Sequence, residues 1–275
     1  MGLMKEPVAP GIHSMAFERY CAADGVSKSM LDILAERTPM HLRAYMMREE
    51  VVEETPAMRF GTILHRALLE PDTYAGGFHV KPEKLTYTTK AGKAWKDEHA
   101  DKPVITLAES DQIEAMVSAV HMHPFAKRLL KGGITEQSLF VEDSHGTLRK
   151  SRLDALTTGN IIPDIKTCET AALETFERSV SRYRYHVQSA YYIDNCKLAG
   201  LDKSVFFFIC VEKSPPYAVR CLQLLDEVIG YGRMLYQRDL QLYRNCVEQD
   251  TWPGWELAFT DCGLPAFEMR QLAAL

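Results

Sequence analysis

The chain has 275 residues, 46% hydrophobic and 25% charged, a balance that excludes a disordered or fibrous protein and suits one large folded domain. Its net charge of −5, from 32 Lys and Arg against 37 Asp and Glu, speaks against a generic nucleic-acid binder but leaves room for a local basic groove. No apolar run approaches a membrane span, the N-terminal stretch MGLMKEPVAPGIH lacks the apolar centre of a secretory signal, and the seven cysteines include no C-x-x-C pair; a cytoplasmic protein with reduced core thiols and no membrane partner is expected.

In chain order, GVSKS at 25–29 precedes the periodic segment MLDILAE, with Ser27 or Ser29 placed to cap a helix. Pro39 to Tyr45 reads as a second short helix with proline in its first turn. Met58 to Glu70 has helical period, with Ile63, Leu64, Ala67 and Leu68 as an apolar stripe and Pro71 as the stop. His65 borders that stripe, where a lone histidine is more often a core residue than a ligand. Tyr74 to Pro103 carries few signals beyond a helical run around Trp95 and is assigned no chemistry, although Lys90, Lys93 and Lys96 could meet backbone phosphates. Leu107 to Val120 is again helical, and His123-Pro124 starts a short helix that ends before Gly132-Gly133. His121 and His123 have no partner at metal-site spacing.

From Thr135 the pattern turns to strand, and Ser144-His145-Gly146 makes the turn that follows. Leu148 to Leu156 and Ile161 to Thr167 then read as two strands joined by Thr157-Thr158-Gly159-Asn160, most simply a hairpin. A period of two sets Lys150, Arg152 and Asp154 on one face of the first strand and Asp164 and Lys166 on one face of the second. Two carboxylates and a lysine then converge. In a dry core that is costly, but it is what a hard divalent cation and a phosphate need. Asp154 and Asp164 would hold the metal, with Lys166 beside it to position a water and offset charge on phosphorus. The alternative is a solvated hairpin with a surface ion pair.

Ala171 to Tyr183 and Val187 to Ala199 read as helices, the second closed by Gly200, with Gln188 and Tyr192 on one face at i and i+4. VFFFICV at 205–211 is a strand covered on both faces, and Tyr217 to Leu224 pairs beside it. Val228 to Asn245 is a long helix whose first turns Gly230 and Gly232 weaken, and the WPGW tail at 252–255 caps the body or a neighbouring subunit.

The order GTILH at 61–65, an isolated Glu136, RLD at 152–154, DIK at 164–166 and QSAYY at 188–192 resembles the PD-(D/E)XK nuclease superfamily, in the branch of exodeoxyribonuclease VIII (RecE-type) and lambda-type phage exonucleases. The resemblance runs from the SKSML segment to about Gly200. Leu153-Asp154 stands for the first motif, and Pro163-Asp164 instead begins the (D/E)XK element. The resemblance implies an α/β fold, a central mixed β-sheet flanked by helices with a restriction-endonuclease-like core. It implies one nuclease domain over 1–275, with a helical N-terminal part at 1–58, the catalytic core at 59–224 and a C-terminal helix and tail at 225–275.

It further implies that His65, Asp154, Asp164 and the Ile165 backbone carbonyl hold Mg²⁺, with Mn²⁺ able to substitute, and that Lys166 activates water. In that family the histidine faces the metal, and Gly61, one turn earlier, permits close approach. Glu136 is either an accessory carboxylate or an edge-strand charge. Gln188 and Tyr192 lie against DNA and the catalytic strand, or form a buried polar pair. Ser27, Lys28 and Ser29 are candidates for a 5′-phosphate pocket, with Lys150 and Arg152 as DNA contacts. The activity implied is 5′ to 3′ digestion of linear double-stranded DNA in phage or prophage recombination. It comes with a trimeric or tetrameric ring and a RecT-like single-strand annealing partner. The rivals are an endonuclease of the same core and a DNA-binding or assembly protein without catalysis. The seven cysteines lack the closely spaced C-terminal set that an iron–sulfur branch of the superfamily carries.

Overall fold

The computed structural model describes residues 6–47, 55–74, 76–256, 258, 260 and 262–274; the first five residues of the N-terminal stretch read for a leader lie outside them. The N-terminal third carries β1 (Gly11–Ser14), α1 (Phe17–Ala22), α2 (Lys28–Glu36), α3 (Pro39–Met46), α4 (Pro56–Leu69), α5 (Pro71–Tyr74) and β2 (His79–Lys81). Next come α6 (Lys90–Glu98), β3 (Val104–Thr106), α7 (Leu107–Met122), α8 (Pro124–Leu130), β4 (Ile134–Glu142), β5 (Leu148–Leu156) and β6 (Ile161–Cys168). The chain ends with α9 (Leu173–Arg182), α10 (Tyr185–Leu198), β7 (Val205–Glu212), β8 (Val219–Gln223), α11 (Asp226–Glu248) and α12 (Ala266–Leu272). The fold is mixed α/β, and among the described residues no helix is long and apolar enough to cross a membrane.

The strands form an antiparallel sheet β1-β4-β5, a mixed sheet β6-β7-β8 and a small parallel pair β2-β3. The expected hairpin between β5 and β6 is not formed. β6 pairs with β7, in parallel, and no ladder joins it to β5 among the described residues. Where a ladder bond would lie, the Ile165 amide donates to the Asp154 carboxylate at 2.7 Å. The two sheets therefore meet through a side chain, and the seam between them is open to catalytic groups.

β7 shows why its sequence is apolar throughout. Phe206, Phe208 and Cys210 point into a core shared with α2, α9, α10 and α11, while Ile209 and Val211 point into a second core with α4, α7 and α8. A strand that serves two cores has no polar face to spare. Helix ends follow local chemistry. Ser27 caps α2, Thr55 caps α4, and Thr106 with Glu109 makes a full capping box on α7.

Of the two glycines expected to weaken α11, only one has a packing duty. A Cβ on Gly232 would lie 2.2 Å from the His186 carbonyl oxygen, so its absence lets α10 and α11 cross closely. A Cβ on Gly230 would meet no described atom within 4 Å. Alanine gains about 1 kcal/mol of helix propensity over glycine, whereas forcing a methyl into backbone costs about 1–3 kcal/mol or more. Gly232→Ala should therefore lower the melting temperature by several degrees, at about 2–4 °C per kcal/mol. Gly230→Ala should raise it slightly, and calorimetry on the two variants checks the opposite signs.

Candidate active site

The site lies at the seam between the sheets. In the β4/β5 register Thr135 faces Ala155 and Gln137 faces Leu153, which sets Glu136 across from Asp154. At that pair the ladder is interrupted, and Glu136 adopts a left-handed φ of 53°. A non-glycine residue there costs of order ~1–3 kcal/mol and persists where its surroundings hold it. Here Arg152 does so. Its Nε donates to the Glu136 carboxylate at 2.5 Å, and its Nη1 donates to the Met15 carbonyl and the Ser138 hydroxyl, both at 2.9 Å.

His65 reaches in from α4, with Nδ1 3.7 Å from Asp154 Oδ2 and Nε2 3.0 Å from the Ile165 carbonyl oxygen. One donor atom each from His65, Glu136 and Asp154 lies within 4.8 Å of the others. One imidazole nitrogen and two carboxylates fit a divalent cation of the Mg²⁺ or Mn²⁺ class. From β6, Asp164 and Lys166 project together. Lys166 Nζ is 2.6 Å from Asp164 Oδ2, and Gln188 on α10 donates to Asp164 Oδ1 at 2.6 Å. Tyr185 turns its ring toward Lys166, 5.0 Å from Nζ.

Burial is the largest influence on His65, Glu136, Asp154 and Lys166. It holds the His65 imidazole below its usual range, helped by the Lys166 charge, so the ring is neutral and able to ligate at neutral pH. Burial and then the Asp164 charge push Asp154 up to about 8. Burial and then Asp154 raise Glu136 as well. For Lys166 burial works downward, but Asp164 and Asp154 outweigh it and hold the ammonium above its usual range. Lys166 is thus charged at neutral pH, which suits a cation that orients water and opposes charge on phosphorus. It does not suit a base.

Several expected residues fall elsewhere. Lys150 is only 4% exposed and donates to the Tyr20 and Ala23 carbonyls at 2.9 and 2.7 Å; it pins α1 to β5 and is unavailable to DNA. Arg152 is taken up by Glu136. Arg149 lies buried between the Tyr191 and Tyr236 rings, so neither it nor Lys150 lines a basic channel. Asp164 stands apart from the His65, Glu136 and Asp154 trio, held by Lys166 and Gln188. The Ile165 carbonyl faces His65. Tyr192 packs edge-on against Phe206 and meets the Arg152 backbone.

Ser27 accepts from the Met30 amide as the α2 cap, with Ser29 Oγ 3.3 Å from its hydroxyl. Lys28 is held by Asp32 and by the Tyr183 carbonyl, each at 2.7 Å. Gly61 shares the His65 face of α4, where a Cβ would meet no described atom within 4 Å. Trp252 packs on Tyr243 and under Arg43 of its own chain, so that part of the tail caps the body. The Arg152 clamp on Glu136 and the Tyr185 ring beside Lys166 were not expected. Only the tertiary arrangement brings them to the site.

Residues 27–261 match the family described as a PDDEXK-like domain of unknown function (DUF3799). The chain belongs to this family. A crystal structure from Eubacterium rectale, named as a "Putative exonuclease", aligns over 96% of this chain and 100% of its own, at 14% identity and a TM-score of 0.64, which shows a shared fold. A second structure, named SSO0001, aligns over 66% of this chain and 85% of its own at 21% identity and a TM-score of 0.28, which carries no argument. A search of curated proteins finds no match. Asp154 and the Asp164-Ile165-Lys166 run both lie within the matched residues.

Asp154 yields a prediction with a definite sign. Its folded value of about 8 lies above the ordinary 3.8, so its contribution to stability is full below about 4 and is lost as pH rises through 8. A metal competes with that proton. In calorimetric titrations at pH 7 with buffers of different ionisation enthalpy, Mn²⁺ or Mg²⁺ binding should release protons. The rise in melting temperature on adding metal should be larger at pH 8.5 than at pH 6. Binding without proton release would contradict the assignment of Asp154 as a ligand.

Proposed function

We propose that this PDDEXK-like protein is a metal-dependent nuclease that digests linear double-stranded DNA from its ends. The observation that carries the reading is the His65, Glu136 and Asp154 donor cluster set beside a buried Asp164–Lys166 pair. A pure binding protein has no use for converging carboxylates, which repel phosphate. A divalent cation held by His65, Glu136 and Asp154, with Asp164 and the Ile165 carbonyl beside it, would supply Lewis-acid activation of a phosphoryl oxygen and a water.

The protein's own groups do the rest. Lys166 holds a full positive charge where water approaches phosphorus. Asp164 keeps that ammonium charged and in place, and Gln188 fixes the rotamer of Asp164 through its second oxygen. Arg152 holds Glu136 toward the cluster, and His65, neutral through burial, offers a nitrogen without a proton to displace. The 5′ to 3′ polarity, the ring-shaped oligomer, the annealing partner and the 5′-phosphate role of Ser27, Lys28 and Ser29 belong to the same proposal. They rest on the resemblance in motif order.

The test is digestion in Mg²⁺ of linear duplexes labelled at either end, with and without a 5′-phosphate, next to a covalently closed circle. Loss of label from linear ends with an intact circle is expected. Cutting of the circle would make the protein an endonuclease. Lys166→Ala should reduce cleavage about 10²–10³-fold, the usual loss when one preorganised charge donor is removed. Because it strands Asp164 without its cation, the same variant should lower the melting temperature. Unchanged cleavage by Lys166→Ala would refute the site.

A further inference from the structure

Tyr183 is 49% exposed, yet its position is held from several sides. It ends α9, and the next residue, Arg184, turns the chain with a left-handed φ of 52° into α10. Buried ion pairs to Asp32 and Asp239 and a bond to the Leu31 carbonyl fix that corner. Lys28 grips the Tyr183 carbonyl at 2.7 Å. The Tyr183 ring lies 5.6 Å from the Tyr185 ring at an interplanar angle of 29°, and Tyr185 in turn stacks on Phe208 at 5.3 Å. Because Tyr185 also faces Lys166 at 5.0 Å, an aromatic ladder leads from solvent to the catalytic lysine. Arg182 places its guanidinium 5.4 Å over Tyr183, and Arg178 is exposed one turn earlier.

We infer that Tyr183 is a stacking platform for an unpaired base of the strand that enters the site, an inference that rests on the nuclease reading above. A ligand that meets a braced, half-exposed ring with arginines beside it is flat, aromatic and anionic, which describes a nucleotide. Within a duplex the base faces are already stacked on one another, so the ring is accessible only to a base that has left the pair. Arg182 can then sandwich the base or meet its phosphate.

The experiment measures binding of a phosphorothioate-protected single-stranded oligonucleotide in Ca²⁺, with one abasic position moved along the strand. Base stacking on an aromatic side chain is worth about 1–3 kcal/mol, or roughly 5- to 150-fold in affinity. The wild type should lose about tenfold at one abasic position. Tyr183→Leu, which keeps apolar bulk without a π face, should bind the intact strand about tenfold more weakly and lose nothing further at that position. Tyr183→Phe should match the wild type. A wild type indifferent to every abasic position, a leucine variant with the same abasic loss, or a phenylalanine variant as weak as leucine would each overturn the platform. Should Tyr183→Leu fail to fold, Tyr183→Gln, which also lacks a π face, takes its place in the same comparison. If the wild type digests linear DNA but fails these tests, the platform falls alone; if it neither binds nor cleaves DNA, the nuclease reading falls with it.

Discussion

Three carboxylates, from Glu136, Asp154 and Asp164, are gathered at the seam between two sheets, and among the described residues two side-chain cations pair with them. Arg152 answers Glu136 and Lys166 answers Asp164. Asp154 has one backbone amide and a neutral imidazole against it, and burial, then the Asp164 charge, push it up to about 8 although Lys166 and Arg152 pull the other way. Buried charge without a partner is among the most costly arrangements a fold can hold. The cluster is one positive charge short, and the shortfall falls on the residue whose oxygen faces His65 and Glu136. A divalent cation, or a proton in its place, completes the balance.

The rest of the architecture keeps that shortfall from being relieved in other ways. If β5 and β6 paired along their length, Ile165 would have a backbone partner and Asp154 would be free to turn to solvent. Instead the missing ladder makes the carboxylate structural, so it stays. β7 anchors β6 from the other side by offering apolar residues to both cores, which leaves Asp164 and Lys166 the polar members of an otherwise dry region. α10 brings Gln188 to Asp164, and the close crossing that Gly232 permits presses α10 against α11. Helix packing away from the seam thus sets the rotamer of Asp164.

Much of this was legible in the chain. The apolar run at 205–211 announced a doubly covered strand, the Gln188 and Tyr192 spacing placed both on one helix face, and the D-x-K beside an earlier L-D marked the acidic group. What escaped did so for physical reasons. Alternation puts Lys150 on the same strand face as Asp154, but side-chain length carries its ammonium to carbonyls of α1, and no periodicity reports where a long side chain ends. A left-handed glutamate leaves no compositional trace, since that conformation is imposed by its surroundings. Gly230 and Gly232 look equivalent in sequence, and only the position of the His186 carbonyl separates them. Turn chemistry at 157–160 suggests a hairpin, but β6 pairs instead with the parallel strand β7, Ile161 opposite Val205, a partner that no local signal reports.

On the nuclease reading proposed above, the fate of the basic residues bears on how an acidic protein would meet a polyanion. Arg149, Lys150 and Arg184 are buried, and Arg152 is spent on Glu136, so the arginines and lysines nearest the site hold the protein together instead of lining a track. With a net charge of −5, attraction by the protein's overall field is weak. Affinity near the chemistry then has to come from short-range terms: the cation that completes the acidic cluster, the Lys166 ammonium, and flat surfaces able to stack. Short-range terms demand that the strand be correctly seated before they act. On that reading a site built this way would discriminate by geometry at the seam, and a strand end, which can fray and present an unpaired base, would satisfy that demand more readily than the interior of a closed duplex.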